Sequence, residues 1–336
     1  MFLRSQWYAA AFARELGDKP VARRICGEPV VLFRTRAGKI GALEDRCPHR
    51  SAPLSAGACG ATTIRCGYHG IEFDTAGTCV RIPHQPNVPP RMRVRAYPLV
   101  ERWGYAWIWM GDPAAARPET IPDYWWFAAE GWQSFERLYH VNAHWEVCAD
   151  NILDLSHTPF LHPKTVGIPE MATIPLRTWV EGSTVFQQRV MKQVTPSPFV
   201  AEWGNFKGKI DRVATLRWQP PSAVDVEMLY EDSAARIVLR LTQLVTPDAE
   251  ATSHILFAWS RNFLLRPENE GRFREQSYAV MDEDISFMPL QQRCIEQFGA
   301  FKTIPINADA TLIEARRVVL RLLREEQGAA AKKLSA

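Results

Sequence analysis

The chain has no long apolar run. Runs such as Tyr105 to Met110 fall far short of the roughly 20 residues that a membrane-spanning helix requires, so no membrane segment is expected. Met1 to Asp18 holds an alanine patch but neither the apolar core nor the cleavage site of an export signal, and export is not indicated. Excess charge of one sign is also missing. The 40 basic and 37 acidic side chains leave a net charge of +3, which gives a polyanion little to grip, and nucleic acid is not an expected partner. Basic pairs such as Arg23-Arg24 and Arg316-Arg317 are scattered and read as solvated faces. There is no even set of cysteines. Seven thiols in a chain this long argue against a disulfide framework and for a reducing compartment, with the cytoplasm as the default. Internal repeats are absent, and 46% hydrophobic against 23% charged residues is the balance of a globular protein and not of a disordered one.

What is present suggests two domains. From Val21 to Met110 short β-rich runs alternate with turn signals, as in Pro29 to Phe33, the turn Ala37-Gly38-Lys39, and Ile40 to Leu43, which together read as a hairpin. Trp103, Tyr105, Trp107 and Trp109 recur at every second position, as core aromatics on one face of a strand. The Pro/Ala-rich stretch from Gly111 to Pro118 places a boundary near residue 117, giving domains 1–117 and 118–327 and a frayed tail, 328–336. Beyond it a helical segment is expected over Asn142 to Leu161. Strands follow from Trp179 to Phe263, with turns at Glu181-Gly182-Ser183, Pro220-Pro221 and Thr246-Pro247-Asp248, then helices from Pro267 to Phe298 and from Ala310 to Gln327. Strand and helix do not alternate, so the sheet is expected to be antiparallel and the class α+β.

Two clusters of polar chemistry stand out. In the first, Cys47-Pro48-His49 is followed after 16 residues by Cys66-Gly67-Tyr68-His69, so that two short loops each offer one thiolate and one imidazole. A structural zinc would accept such a set, but zinc sites usually pair two cysteines in one knuckle and two histidines in the other. A Rieske [2Fe-2S] cluster, with two thiolates on one iron and two imidazoles on the other, suits loops of mixed composition. Gly57, Gly60, Gly67 and Gly70 fit tight turns around these ligands, while Cys26, Cys59, Cys79, Cys148 and Cys294 show no partner spacing and read as inert thiols.

The second cluster runs from Asp150 to His162. Asp154 and His157 are three apart, hence neighbours on a helical face, and Pro159 offers a kink that swings His162 towards the same centre. Two neutral imidazoles want one anionic ligand to form a facial triad on Fe(II). Asp284 is the candidate, set between Val280, Met281, Phe287 and Met288 on an apolar stripe where an ionised carboxylate needs compensation; a salt bridge or a helix-packing role is the competing reading. Asp282 and Glu283 are expected to face solvent. His84, His140, His144 and His254 read as ordinary core or surface histidines, and no single Arg or Asn between about 170 and 290 announces a carboxylate or sulfonate on the substrate.

Together these motifs resemble the Rieske non-haem iron oxygenase α subunits over nearly the whole chain. Trp7-Tyr8-Ala9-Ala10, Cys47-Pro48-His49-Arg50, Cys66-Gly67-Tyr68-His69-Gly70 and Trp107 to Pro113 resemble the short-chain branch that contains vanillate and dicamba O-demethylases and toluenesulfonate methyl-monooxygenase. The resemblance implies an all-β Rieske domain and a catalytic domain of antiparallel sheet wrapped by helices. It implies a cluster on Cys47, His49, Cys66 and His69, and mononuclear Fe(II) on His157, His162 and Asp284. Asp154 and Asn151 take catalytic positions, with Asp154 bridging towards His69 of the partner subunit in a homotrimer. It further implies a flavin/[2Fe-2S] reductase or ferredoxin as electron donor, and O2-dependent demethylation or hydroxylation of a small aromatic substrate; ring cis-dihydroxylation and a pure electron carrier are the alternatives. The chain departs from the branch at His144-Trp145, where an Asn often precedes the aromatic, and at Pro289 close after Asp284.

Overall fold

A computed structural model describes residues 2–299 and 303–334. The chain divides into two compact units: Met1–Asp123 with Thr246–Glu250, and Tyr124–Val245 with Ala251–Ala336. The division thus falls six residues past the position expected from the Pro/Ala-rich stretch.

The first unit is built from short strands: β1 (Trp7–Phe12), β2 (Val21–Ile25), β3 (Glu28–Arg34), β4 (Ile40–Glu44), β5 (Ala58–Cys59), β6 (Thr63–Arg65), β7 (Glu72–Asp74), β8 (Cys79–Arg81), β9 (Ala96–Tyr97), β10 (Leu99–Arg102) and β11 (Tyr105–Trp109). They form three sheets, ordered β1-β11-β10, β2-β3-β4-β9 and β5-β6-β7-β8. The expected hairpin is β3-β4, antiparallel, with Val31 opposite Leu43. The continuous apolar run of β3 has a plain cause: Val30 and Leu32 enter one hydrophobic cluster, with Tyr8, Ala42 and Ile108, while Val31 and Phe33 enter another, with Leu43, Ile64 and Phe73. A strand buried on both faces has no polar alternate positions. The second cluster also takes in Cys47 and Cys66, so the cysteine loops are anchored in this core. Trp103 is a correction: it lies in the β10-β11 turn with φ +57° and not on the strand, whereas Tyr105 and Trp109 pack against Phe12 and Trp7 of β1.

The second unit contains β12 (Gln133–Val141), α1 (Trp145–Leu153), α2 (Thr158–Leu161), β13 (Arg177–Glu181), β14 (Thr184–Val194), α3 (Pro198–Gly204), β15 (Ile210–Gln219), β16 (Ala223–Glu231), β17 (Arg236–Ala249), β18 (Thr252–Arg261), α4 (Glu270–Phe298) and α5 (Ala310–Leu334). Its seven strands form one sheet ordered β12-β18-β17-β16-β15-β14-β13. Burial alternates strictly along β15, with Ile210, Arg212, Ala214, Leu216 and Trp218 facing in. α4 packs on β12 and α1, and α5 packs on β13, β14 and α1.

Several expectations change here. β12, the edge strand pairing with β18, had no clear sequence signal. Thr246-Pro247-Asp248 continues β17, and the turn falls at Glu250-Ala251. The segment expected to fray from residue 328 is helical as far as Leu334, the remaining two residues lying outside the described ones. The helical segment near the second cluster breaks at Asp154, whose φ of −108° and ψ of 86° are not helical. Pro159 is not the cause of a kink: it sits in the first turn of α2, where its missing N–H costs nothing.

Candidate metal centres

The two cysteine loops share one backbone design. In the first, the Cys47 N–H donates to the Ala52 carbonyl at 2.8 Å and the Ser51 N–H to the Cys47 carbonyl at 2.9 Å. In the second, the Cys66 N–H donates to the Ile71 carbonyl at 2.8 Å and the Gly70 N–H to the Cys66 carbonyl at 3.1 Å. Each closing residue lies in the left-handed region, Ser51 at φ +57° and Gly70 at φ +70°. Both thiols are buried and are hydrogen-bond neighbours, whereas His49 and His69 are exposed with ring centroids 4.5 Å apart. The donor set is therefore two sulfurs within and two imidazoles at the surface. Gly57, between the first loop and β5, lies against the end of β6: a Cβ there would stand 2.0 Å from the Arg65 carbonyl oxygen, so only glycine fits.

The second centre is assembled from α4 and from the segment after α1. Ligand atoms of His157, His162 and Asp284 all lie within 4.8 Å of one another. Asp284 Oδ1 is 3.4 Å from His157 Nε2 and 3.2 Å from His162 Nε2. Ligands in adjacent positions on a metal about 2.1 Å away stand ~3 Å apart, so this set fits one small cation with one face left open. Asn151 Nδ2 donates to the same Asp284 oxygen at 2.9 Å. Burial pushes the Asp284 carboxyl up, but hydrogen bonds and charge from His157 and His162 outweigh it and hold the group well below the usual carboxylate range. Burial likewise pulls His162 down, and Asp284 and Glu283 more than compensate, holding the imidazole above its ordinary value.

Each imidazole is also gripped on its other nitrogen. His157 Nδ1 lies 2.6 Å from the backbone carbonyl of Asp154, and His162 Nδ1 lies 2.5 Å from Glu283 Oε2, which also accepts from Thr165 Oγ1 at 3.0 Å. Glu283 therefore belongs to the site and not to solvent; Asp282 alone is exposed, beside Arg137. The Asp154 carboxylate does not stack beside His157 on a helix face but accepts from the Ser156 N–H at 2.9 Å, capping the next turn. Phe287 is half-exposed, so the apolar stripe around Asp284 is made by Val280, Met281 and Met288. His144 caps α1 by accepting from the Glu146 N–H at 3.3 Å. Of the thiols expected to be inert, Cys26, Cys79 and Cys148 are buried, Cys59 is partly so and Cys294 is exposed.

A cavity opens over this centre. His157, His162, Asp284 and Asn151 line it with Ile152, Val226, Leu241 and Trp259, and it encloses about 720 Å³, its mouth included.

Residues 6–98 match the Rieske [2Fe-2S] domain, and residues 141–325, more than half of the chain, match the vanillate O-demethylase oxygenase C-terminal domain. The chain belongs to the Rieske oxygenases of the vanillate O-demethylase type. It is an oxidoreductase of the monooxygenase class. Among the relatives of this Rieske oxygenase is a putative toluene-4-sulfonate monooxygenase system iron-sulfur subunit from Comamonas testosteroni, 37% identical over 98% of this chain and 100% of that one. A vanillate O-demethylase oxygenase subunit from a Pseudomonas species is 33% identical over 98% and 97% of the two chains. The solved structure of dicamba monooxygenase with non-heme iron and dicamba superposes with a TM-score of 0.84 at 30% identity, covering 98% of this chain and 99% of that one. No described helix is long and apolar enough to cross a membrane.

Proposed function

We propose that the chain is the terminal oxygenase of a multicomponent system that demethylates or hydroxylates a small aromatic substrate. Cys47, His49, Cys66 and His69 hold a [2Fe-2S] cluster, and His157, His162 and Asp284 hold Fe(II). The observation that carries this reading is the convergence of two imidazoles and one carboxylate at the floor of an apolar cavity, in a chain that also carries paired Cys/His loops. The buried thiols and exposed imidazoles suit a two-iron cluster whose histidine edge meets a partner. When bound, the two groups supply one-electron storage and activation of O2 at ferrous iron.

The chain's own residues orient and position. Glu283 and the Asp154 carbonyl hold the imidazole rings with their Nε2 atoms towards Asp284, and Asn151 fixes the Asp284 carboxylate by donating to it. The apolar walls seat the ring of the substrate and exclude water. We place the chain in a cytoplasmic homotrimer, with Asp154 linking its own His157 to His69 of the partner subunit, and with a flavin/[2Fe-2S] reductase or ferredoxin as donor. A panel of methoxylated and methylated aromatics, incubated with a surrogate reductase, is expected to give substrate-dependent NADH and O2 consumption. Formaldehyde or an aryl alcohol carrying label from dioxygen is the expected product; a cis-diol would replace the monooxygenase reading. Metal analysis showing about one iron beyond the cluster's two supports the second centre, and its absence overturns it.

A further inference from the structure

On the inner faces of β14 and β15, alternate positions point into the cavity: Gln187 and Arg189 from one strand, Arg212 and Ala214 from the other. Arg189 stands opposite Ala214, and Arg212 opposite Met191, so the two arginines are diagonal neighbours across the ladder. Both are buried, at 4% and 9% exposure. Among the described residues neither guanidinium forms a hydrogen bond or an ion pair with another side chain, and the Arg189 Nε is buried with no partner at all. The nearest aromatic company is the Tyr230 ring, 5.7 Å from Arg212.

Arg240 and Arg261 also keep buried guanidinium nitrogens without a partner, but each has a side-chain acceptor for another nitrogen and an aromatic ring beneath it. Arg240 is paired with Asp225 at 2.7 Å and lies 4.0 Å over the Trp126 ring. Arg261 donates to Gln133 at 2.6 Å and sits against the rings of Phe135 and Phe273. Arg189 and Arg212 both line the cavity, and among the described residues neither has such a side-chain acceptor. Burial and the charge of Arg212 pull Arg189 down to about 10, and Asp154 attracts it only through space while its own carboxylate caps Ser156. Gln187, beside them on the same face, donates its amide N–H groups to the Leu153 carbonyl and the Thr311 hydroxyl. Two like charges in an apolar cavity are costly unless an anion joins them, and planar guanidinium forks match the oxygens of a carboxylate or sulfonate.

We propose that Arg189 and Arg212 seat the anionic group of the substrate, making this chain an oxygenase for aromatic carboxylates or sulfonates. This rests on the function proposed above and narrows its substrate class. Trp259, whose indole N–H is likewise buried without a partner, lines the same cavity. The aromatic ring then lies against Ile152, Val226 and Leu241, over the His157, His162 and Asp284 floor.

The test is calorimetric binding to the iron-loaded full chain, without turnover. The probes are 4-methylbenzoate and 4-methylbenzenesulfonate, each against its neutral amide. The anions are expected to bind at least about 10-fold more tightly than the amides, since each charge-assisted hydrogen bond is worth roughly that or more. The better of the two anions identifies the head group. Arg189→Gln and Arg212→Gln are each expected to weaken the anions by roughly 10- to 100-fold while shifting the amides by less than about 3-fold. Arg189→Met is expected to leave the ligand-free melting temperature unchanged or raised, whereas a purely structural arginine would be missed there. Should Arg189→Gln fail to fold, Arg189→Lys keeps the charge, loses the fork and still weakens the anions. Equal binding of anions and amides, no binding of either anion, or equal loss of both classes in the variants overturns the assignment. Cluster and iron content, which test the proposed function, are measured separately, so either reading can fail alone.

Discussion

Replacing Glu283 by alanine probes the support of the mononuclear centre without touching a ligand. His162 presents its two ring nitrogens to two consecutive residues of α4: Nδ1 to Glu283 at 2.5 Å and Nε2 to Asp284 at 3.2 Å. With Glu283 accepting, the proton stays on Nδ1 and the Nε2 lone pair is left for the metal. In Glu283→Ala the ring keeps its burial, at 3% side-chain exposure, but loses both the acceptor and the negative charge that favour this tautomer. Losing such an outer carboxylate typically costs 10- to 100-fold in metal affinity, or about 1.4 to 2.7 kcal/mol. Glu283→Gln is expected to fall between, because an amide oxygen held by the Thr165 hydroxyl still accepts from Nδ1 while the charge is gone. The assay challenges purified protein with graded ferrous chelator and follows mononuclear iron by metal analysis, with the cluster absorbance as internal reference. Iron retention in the alanine variant equal to that of the parent chain, at unchanged cluster content, would refute this account of His162.

Three further outcomes are expected. Asp154→Asn should keep both metals, since an asparagine oxygen can still cap Ser156, yet nearly abolish coupled turnover; unimpaired turnover would remove Asp154 from the electron path. Asp225 is buried beneath Arg240, Arg217 and Glu227 with Oδ1 unpartnered, and burial lifts its carboxyl from 3.8 to about 6. Because the folded state then holds its proton more firmly than the unfolded chain does, this group's contribution is full below about pH 4 and is lost as pH rises through about 6, by at most about 3 kcal/mol. Denaturation midpoints across that window should therefore fall less steeply in Asp225→Asn, and identical slopes would sink the argument. Gly57→Ala, whose new methyl meets the Arg65 carbonyl, should lower both the melting temperature and cluster occupancy; a normally loaded, equally stable variant would show that the loop contact yields freely.

How far the sequence could be read depended on whether the deciding interaction was local. The Cys/His loops were legible because each brings its own thiolate and imidazole within a few residues, and the two loops repeat one turn geometry. The triad is legible from residue types, but the break that shapes it is not where proline chemistry places it. The chain turns at Asp154, and Pro159 merely opens α2. From the sequence Glu283 points to solvent, because neighbouring positions on a helix point about 100° apart. One imidazole, arriving from a separate segment, nevertheless touches both with its two nitrogens. The arginines were hidden for a different reason. Whether Arg189 and Arg212 face inward is a question of strand parity, settled only once β14 and β15 are paired in register. The rule that singled out Asp284, that a buried charge must be compensated, applies equally to them. Asp284 has its two imidazoles in the chain itself; the arginine pair has no such partner among the described residues, and its compensation is the substrate's own charge.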